Sequence, residues 1–266
     1  MSVNSPSRIL EMAGETAIVK DAYPIRKILV LSFMAGAYIA FGGLLSLVIG
    51  GGIPQIAADN PGLAKFIFGA TFPVGLMLVV LAGAELFTGN NAYFMPNVLS
   101  RKQRWTAPLR NWALVYLGNF IGSLFVAYFL VHLTDLVAHE PWHQSLMKLA
   151  EAKTSNPFYK TFLKGIGANW LVCLAMWLGL SAKSATGKIL GIWWPVMAFV
   201  ALGFEHSIAN MFFIPLAIFE GSPVSWSLFI TDNLIAATLG NIVGGAFFVG
   251  TLYWYAYGTR KTGKKS

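Results

Sequence analysis

The sequence predicts an all-α, polytopic membrane protein: six transmembrane helices arranged as three spans duplicated in inverted orientation. Three observations lead there. The chain is 56% apolar with only 11% charged residues, and its mean hydropathy is positive; this composition belongs to multi-span membrane proteins and not to soluble domains. Apolar stretches near or above the ~20 residues that a bilayer requires occur six times, at 28–50, 62–85 with a continuation over 91–99, 106–133, 161–181, 189–204 with a continuation over 207–219, and 227–257. Finally, the chain repeats itself. Asn91-Ala92-Tyr93-Phe94-Met95-Pro96 returns as Asn210-Met211-Phe212-Phe213-Ile214-Pro215, each copy preceded by a glutamate, Glu85 or Glu205, set in apolar sequence. Leu117-Gly118-Asn119-Phe120-Ile121-Gly122 likewise returns as Leu239-Gly240-Asn241-Ile242-Val243-Gly244. Three spans per half is an odd number, so the halves must cross the membrane in opposite senses about a pseudo-twofold axis in its plane.

Taken in order, residues 1–27 form an amphipathic amino-terminal segment. Ile9, Leu10, Met12, Ala13, Ala17 and Ile18 recur at helical spacing over 5–20, with Arg8, Glu11, Glu15 and Lys20 between them. Such a helix is expected to lie on the membrane or on a neighbouring subunit. No apolar core of secretory type precedes Ile28, so the first span of the 28–257 channel domain is expected to direct insertion itself. Small residues mark close helix crossings: Gly42, Gly43 and Gly50 to Gly52 in the first span, and the GxxxG pairs Gly118/Gly122 and Gly240/Gly244 in the third and sixth. The single cysteine, Cys173, reads as a small core residue and excludes an intrachain disulfide.

The formal charge of +8 is scattered through loops and lacks the aromatic-rich patch of a nucleic-acid binder, so no nucleic-acid partner is expected. Arg8, Lys20, Arg26 and Lys27, then Arg101, Lys102, Arg104 and Arg110, then Lys183 and Lys188, then Arg260, Lys261, Lys264 and Lys265 of the basic 258–266 tail fall on one side. Lys65, Lys148, Lys153, Lys160 and Lys164 fall on the other. The positive-inside rule then places both termini in the cytoplasm and the chain in the cell membrane.

The second and fifth spans carry the polar residues. Glu205 and His206 sit near mid-depth of the fifth, where an ionisable side chain costs about 2.5–3.5 kcal/mol and normally faces a water-filled path or a partner. Broken backbone cannot face lipid, so the interrupted spans are expected to line the pore.

Ala84-Glu85-Leu86-Phe87-Thr88-Gly89-Asn90, Asn169-Trp170-Leu171-Val172-Cys173-Leu174-Ala175 and Gly203-Phe204-Glu205-His206-Ser207-Ile208-Ala209-Asn210-Met211 resemble the signatures of the formate/nitrite transporter family. The resemblance spans all six helices. It implies an aquaporin-like fold in a homopentamer, with one pore per subunit passing small anions such as formate, nitrite or hydrosulfide and no cofactor. It also implies site residues: Thr88 on the broken second span, His206 at the break of the fifth, Lys153 in the outer vestibule and Asn169 on the fourth span, with Phe72, Leu76, Phe87, Val172 and Phe199 as apolar constrictions above and below the histidine.

The residues suit that task. An imidazole at His206 can donate a hydrogen bond or a proton to an anion that has lost hydration; protonation makes a neutral acid, giving proton-linked, pH-sensitive permeation. Lys153 would concentrate anions. Thr88 and Asn169 would touch the permeant or His206, or tie up backbone at a break. Glu85 and Glu205, at equivalent repeat positions, are expected to accept backbone hydrogen bonds where their helices break, with a proton relay as the alternative. Asp232 reads as a cap or an interface partner. His132, His139 and His143 read as solvated loop histidines, with no carboxylate or cysteine completing a metal site.

Three rivals remain. An aquaporin-like channel for neutral small solutes shares the architecture but lacks any Asn-Pro-Ala pair here. An enzyme using Glu205 and His206 is disfavoured because helix neighbours point about 100° apart and no nucleophile motif accompanies them. A purely scaffolding role would leave cellular anion uptake unchanged in His206→Phe.

Overall fold

The computed structural model describes residues 3–258 and is all-helical apart from one isolated β-bridge between Val3 and Ala182. Of the basic tail only Gly258 falls among them; Arg260, Lys261, Lys264 and Lys265 lie outside the described residues.

The elements are α1 (Pro6–Asp21), α2 (Ile25–Gly50), the short α3 (Pro54–Asp59), α4 (Pro61–Gly83), α5 (Phe87–Tyr93), α6 (Met95–Leu99), α7 (Thr106–Thr134), α8 (Trp142–Thr154), α9 (Phe158–Ser181), α10 (Ala185–Ala201), α11 (Ser207–Phe219) and α12 (Trp226–Tyr257). Among the described residues, α2, α4, α7, α9 and α12 are each long and apolar enough to cross a membrane, while α10 and α11 are shorter apolar helices. Where six spans were expected, there are five such helices and one apolar stretch divided into α10 and α11. The predicted boundaries fall within a few residues of the observed ones. The clearest surprise is α8, in a stretch whose Lys148, Glu151 and Lys153 read as a loop.

The first and last helices of the described residues meet at the same end of the helix bundle. The Asn4 N–H donates to the Ser181 carbonyl at 2.8 Å, Asn97 Nδ2 to the Gly14 carbonyl at 2.7 Å, and Trp254 Nε1 to Ser100 Oγ at 2.8 Å. The opposite end is closed by Trp142 Nε1 on the Val48 carbonyl (2.9 Å) and Ser145 Oγ on the Gly51 carbonyl (2.8 Å). Helix α1 buries Ile9, Leu10, Ala13 and Ala17 and packs against α6, α9 and α12 of its own chain.

Two long crossings dominate the packing, α2 on α7 and α9 on α12. Both use the predicted GxxxG pairs. A Cβ on Gly122 would run into the Phe33 carbonyl of α2, and one on Gly240 into the Phe162 carbonyl of α9, so only glycine permits these backbones to approach so closely.

Candidate functional site

The site forms where α4 gives way to α5 and α10 to α11. Gly83 (φ 83°) and Gly203 (φ 71°) both adopt left-handed conformations that stop the incoming helix, a geometry costly for residues with a Cβ. After each glycine the chain is extended, with Ala84 at φ −136°, ψ 164° before Phe87 begins α5, and His206 at φ −100°, ψ 114° before Ser207 begins α11. Extended backbone inside an apolar bundle must find hydrogen-bond partners, since an unpaired buried group costs about 1–3 kcal/mol.

One asparagine meets that need at each stretch. Asn119 of α7 accepts from the Phe87 N–H (2.9 Å) and donates to the carbonyls of Ser32 (2.8 Å) and Glu85 (2.9 Å). Asn241 of α12 accepts from the Ser207 N–H (2.8 Å) and donates to the carbonyls of Gly165 (2.8 Å) and Glu205 (2.9 Å). The glutamate N–H groups are matched as well, Glu85 donating to Leu31 O (3.2 Å) and Glu205 to Lys164 O (3.3 Å).

The glutamates do something other than expected. Their carboxylates accept from side chains and not from backbone: Glu85 from Lys20 Nζ and Asn90 Nδ2, Glu205 from Lys153 Nζ (3.1 Å), Asn210 Nδ2 (2.7 Å) and Asn233 Nδ2 (3.2 Å). A buried carboxylate requires a counter-charge, and Lys20 and Lys153 supply it; the asparagines already satisfy the backbone. Lys153 is thus 9% exposed and ion-paired, not free in an open vestibule. Asn90 and Asn210 each also donate to a further asparagine, Asn111 or Asn233. Asn90, and not Asn91, therefore does the work of Asn210, which corrects the register read from the sequence by one residue.

Lys20 is the residue that sequence reading missed, having placed it on the polar face of α1. A signal was present: Lys20 and Pro24 are spaced as Lys153 and Pro157 are.

Between the two glutamate clusters lies the histidine. His206 Nε2 is 3.0 Å from Thr88 Oγ1, and the ring stacks on Phe199 with centroids 5.5 Å apart. Phe199 in turn meets Phe72 edge-on at 5.8 Å. The Ala209 N–H donates to His206 Nδ1 at 3.1 Å, so the imidazole caps α11. In the neutral ring the hydrogen therefore resides on Nε2 and points to Thr88.

Leu76, Phe87, Val172, Phe72 and Phe199 are all buried, at 2–3% exposure; the ring of Phe87 packs on Tyr116 (4.9 Å) and Trp112 (6.5 Å). Asn169 does not reach the imidazole. Its Nδ2 faces the carbonyls of Thr88 (3.1 Å) and Asn241 (2.6 Å) and Asn91 Oδ1 (3.1 Å), and Cys173 Sγ lies 3.4 Å from the same Thr88 carbonyl. Of the roles left open for Asn169, these contacts are those of tying up backbone.

The outlying residues also differ from expectation. His132 is not simply solvated, since its Nδ1 lies 2.9 Å from Glu220 Oε1, and His143 Nε2 donates to the Glu220 carbonyl at 3.2 Å. Asp232 lies inside α12, accepting from Thr231 Oγ1, while Ser225 caps that helix. Among the described residues no group of three or more His, Cys, Asp or Glu side chains could hold a metal.

Fold and site together define a class: an all-helical, multi-pass membrane protein with a polar centre held between two buried Lys–Glu pairs. The formate/nitrite transporter family model matches residues 7–255, and the chain belongs to that family. It is 47% identical over 270 residues to a probable formate transporter of Methanothermobacter thermautotrophicus, covering 96% of this chain and 98% of the relative. It is 39% identical to a formate channel of Bacillus thuringiensis, covering 97% of each, and 39% identical to a nitrite transporter of Escherichia coli, covering 85% of this chain and 82% of the relative. Among solved structures it is similar to an ion channel of the same family (TM-score 0.83, 33% identity, 94% of this chain and 98% of that one). It is also similar to a pentameric formate channel with formate bound (TM-score 0.76, 35% identity, 88% of this chain and 97% of that one). These relatives are transporters and channels, not enzymes.

Proposed function

We propose that the protein is a membrane channel for small monovalent anions, formate and nitrite foremost, working as a homopentamer with one pore per subunit. In this reading the chain is an inverted duplication whose second and fifth spans are broken at 84–86 and 202–206, and both termini face the cytoplasm across the cell membrane. The matched asparagine, glutamate and lysine contacts support a duplicated unit of one amphipathic helix plus three spans, so that α1 and α8 are counterparts.

The observation that carries the reading is the Thr88–His206 contact at the meeting of α5 and α11, flanked by Phe72 and Phe199. With Nδ1 occupied by the Ala209 N–H and Nε2–H directed at Thr88 Oγ1, the threonine hydroxyl keeps its own hydrogen free for a passing anion. The capped ring is thus a hydrogen-bond source acting through Thr88. To give up a proton it must first take one from water on the acidic side and become an imidazolium, which carries N–H at both nitrogens and loses the bond to Ala209. Proton-linked passage therefore requires the ring to leave its cap, transfer Nε2–H or Nδ1–H to formate, and return neutral while formic acid crosses the apolar constriction. The burial of Phe72, Leu76, Phe87, Val172 and Phe199 at 2–3% exposure supports a reading in which passage requires those side chains to part, as in pores gated by dewetting.

His206→Asn tests this directly, because asparagine is itself a good helix cap and removes only the imidazole. In proteoliposomes the wild type should take up labelled formate and nitrite faster as external pH falls. The variant should lose that acceleration and at least about tenfold of the flux, the weight of one hydrogen bond to a charged group. Equal uptake by both proteins, or glycerol and water fluxes exceeding formate flux, would overturn the proposal.

A further inference from the structure

Like Glu85 and Glu205, Glu220 has a buried side chain, only 7% exposed, but it is matched differently. A lysine neutralises each of the first two, whereas among the described residues Glu220 is met by imidazoles. Its Oε1 lies 2.9 Å from Nδ1 of His132, in the last turn of α7. Its carbonyl accepts from Nε2 of His143, in the first turn of α8, at 3.2 Å. Glu220 also closes α11, where a carboxylate opposes the helix dipole and a cation is favoured. Three helices thus meet on one residue whose counter-charge exists only when an imidazole is protonated, a change that histidine makes between about pH 5 and pH 8.

The surroundings assign the nitrogens. A carboxylate accepts, so the neutral His132 ring carries its hydrogen on Nδ1 and keeps Nε2 for an incoming proton; the side chain is 33% exposed, open to solvent. Tyr128 of α7 packs on that ring at 5.5 Å and Phe219 of α11 stacks on it at 5.9 Å. Beside α8, His143 Nδ1 faces Glu140 Oε1 at 3.9 Å, a solvated carboxylate. Asp135 and His139 of the connecting turn are exposed. From α12, Trp226 packs on Phe219, while Asp232 is engaged by Thr231. Helix α11, 13 residues and so about 20 Å long, carries Glu220 at one end and the His206 cap at the other. Helix α8 likewise runs from His143 to Lys153, the partner of Glu205.

We propose that Glu220, His132 and His143 form a proton-responsive anchor for the far end of α11, which positions His206 opposite Thr88 and holds hardest when His132 is charged. A neutral His132 gives Glu220 an ordinary hydrogen bond; the imidazolium gives a charge-assisted one, roughly twice as strong. The lysines at Glu85 and Glu205 provide no such response, being charged throughout this range. The effect on transport rests on the anion-channel reading above; the anchor itself does not.

The test compares the wild type with His132→Gln, a donor that is never charged, and His132→Lys, a donor that always is. In the detergent-solubilised protein, the Tm of His132→Gln should match the wild type near pH 8 and fall below it as pH drops through about 6.5. His132→Lys should equal the wild type at the acid end and exceed it at the alkaline end. Labelled formate uptake into proteoliposomes, with one pH on both faces and protein-free vesicles subtracted, should follow the same pattern. His132→Gln should be about fivefold slower than the wild type near pH 5, the difference between a charge-assisted and a neutral hydrogen bond, and no slower near pH 8. His206 titrates in every one of these proteins, so only the difference between them reports on His132. A deficit in His132→Gln that is the same at every pH would show a merely structural contact and overturn the inference, as would Tm curves that coincide. Tm curves that diverge as expected, with no formate uptake by any of the proteins, would uphold the anchor and defeat the transport reading instead.

Discussion

The surroundings of Glu85 and of Glu205 are assembled from the same parts. Each has a lysine from an amphipathic helix, an asparagine five residues on, a second asparagine across from it, and a third asparagine stitching the extended backbone. What differs is the residue after the glutamate, Leu86 in one and His206 in the other, and two positions later Thr88 against Ile208. The framework is held in duplicate, while the groups that can hydrogen-bond a permeant occur once, one from each cluster. The lysine, glutamate and asparagines thus serve the extended stretch itself, since they pair its charge and its backbone. The Thr88 hydroxyl and the Nε2 edge of the imidazole are additions to that framework, while the ring's Nδ1 belongs to it as the cap of α11.

That comparison breaks first, and hardest, at the carboxylates. Glu85→Leu and Glu205→Leu each strand a buried ammonium, and each should cost about 3–5 kcal/mol, read as loss of thermal stability of the detergent-solubilised protein. The losses should be alike. Restoring neutrality in the doubles Lys20→Met/Glu85→Leu and Lys153→Met/Glu205→Leu should recover most of the stability, because an apolar pair of similar volume often equals a buried ion pair. If one cluster tolerates the single change and the other does not, their equivalence is lost.

The asparagines come next. Asn119→Ala and Asn241→Ala each leave one N–H and one carbonyl of the extended stretch without partners, the Ser32 and Gly165 carbonyls lying within α2 and α9, so each should cost roughly 2–4 kcal/mol, again in equal measure by the same thermal assay. Little of this is visible in the sequence. The apolar helices are, because about twenty apolar residues in a row have few alternatives, and the two glutamates are conspicuous in such a run. Asn119 and Asn241 could be seen to recur in Leu-Gly-Asn, but their bonds reach 32–36 residues back along the chain to one partner segment and 76–87 back to another, and periodicity carries no information about such contacts. Lys20 and α8 were obscured for a related reason. Charged residues on a short amphipathic helix read as a solvated face until the glutamate that faces them is located. His132 and His143 were misjudged alike, their partner Glu220 lying 77–88 residues away.

The smallest expected effect is the cleanest measure of how alike the two breaks are. Gly83 and Gly203 have no atom within 4 Å of where a Cβ would sit, so substitution by alanine adds no clash and removes no contact. What remains is the backbone: a left-handed φ of 83° or 71° costs an L-residue about 1–2 kcal/mol. Gly83→Ala and Gly203→Ala should therefore each lower stability by that amount and by no more, whether leucine or histidine follows three residues later. A larger loss at Gly203 alone would mean that the turn is strained to aim His206 at Thr88, and the framework would then no longer be independent of the chemistry it carries.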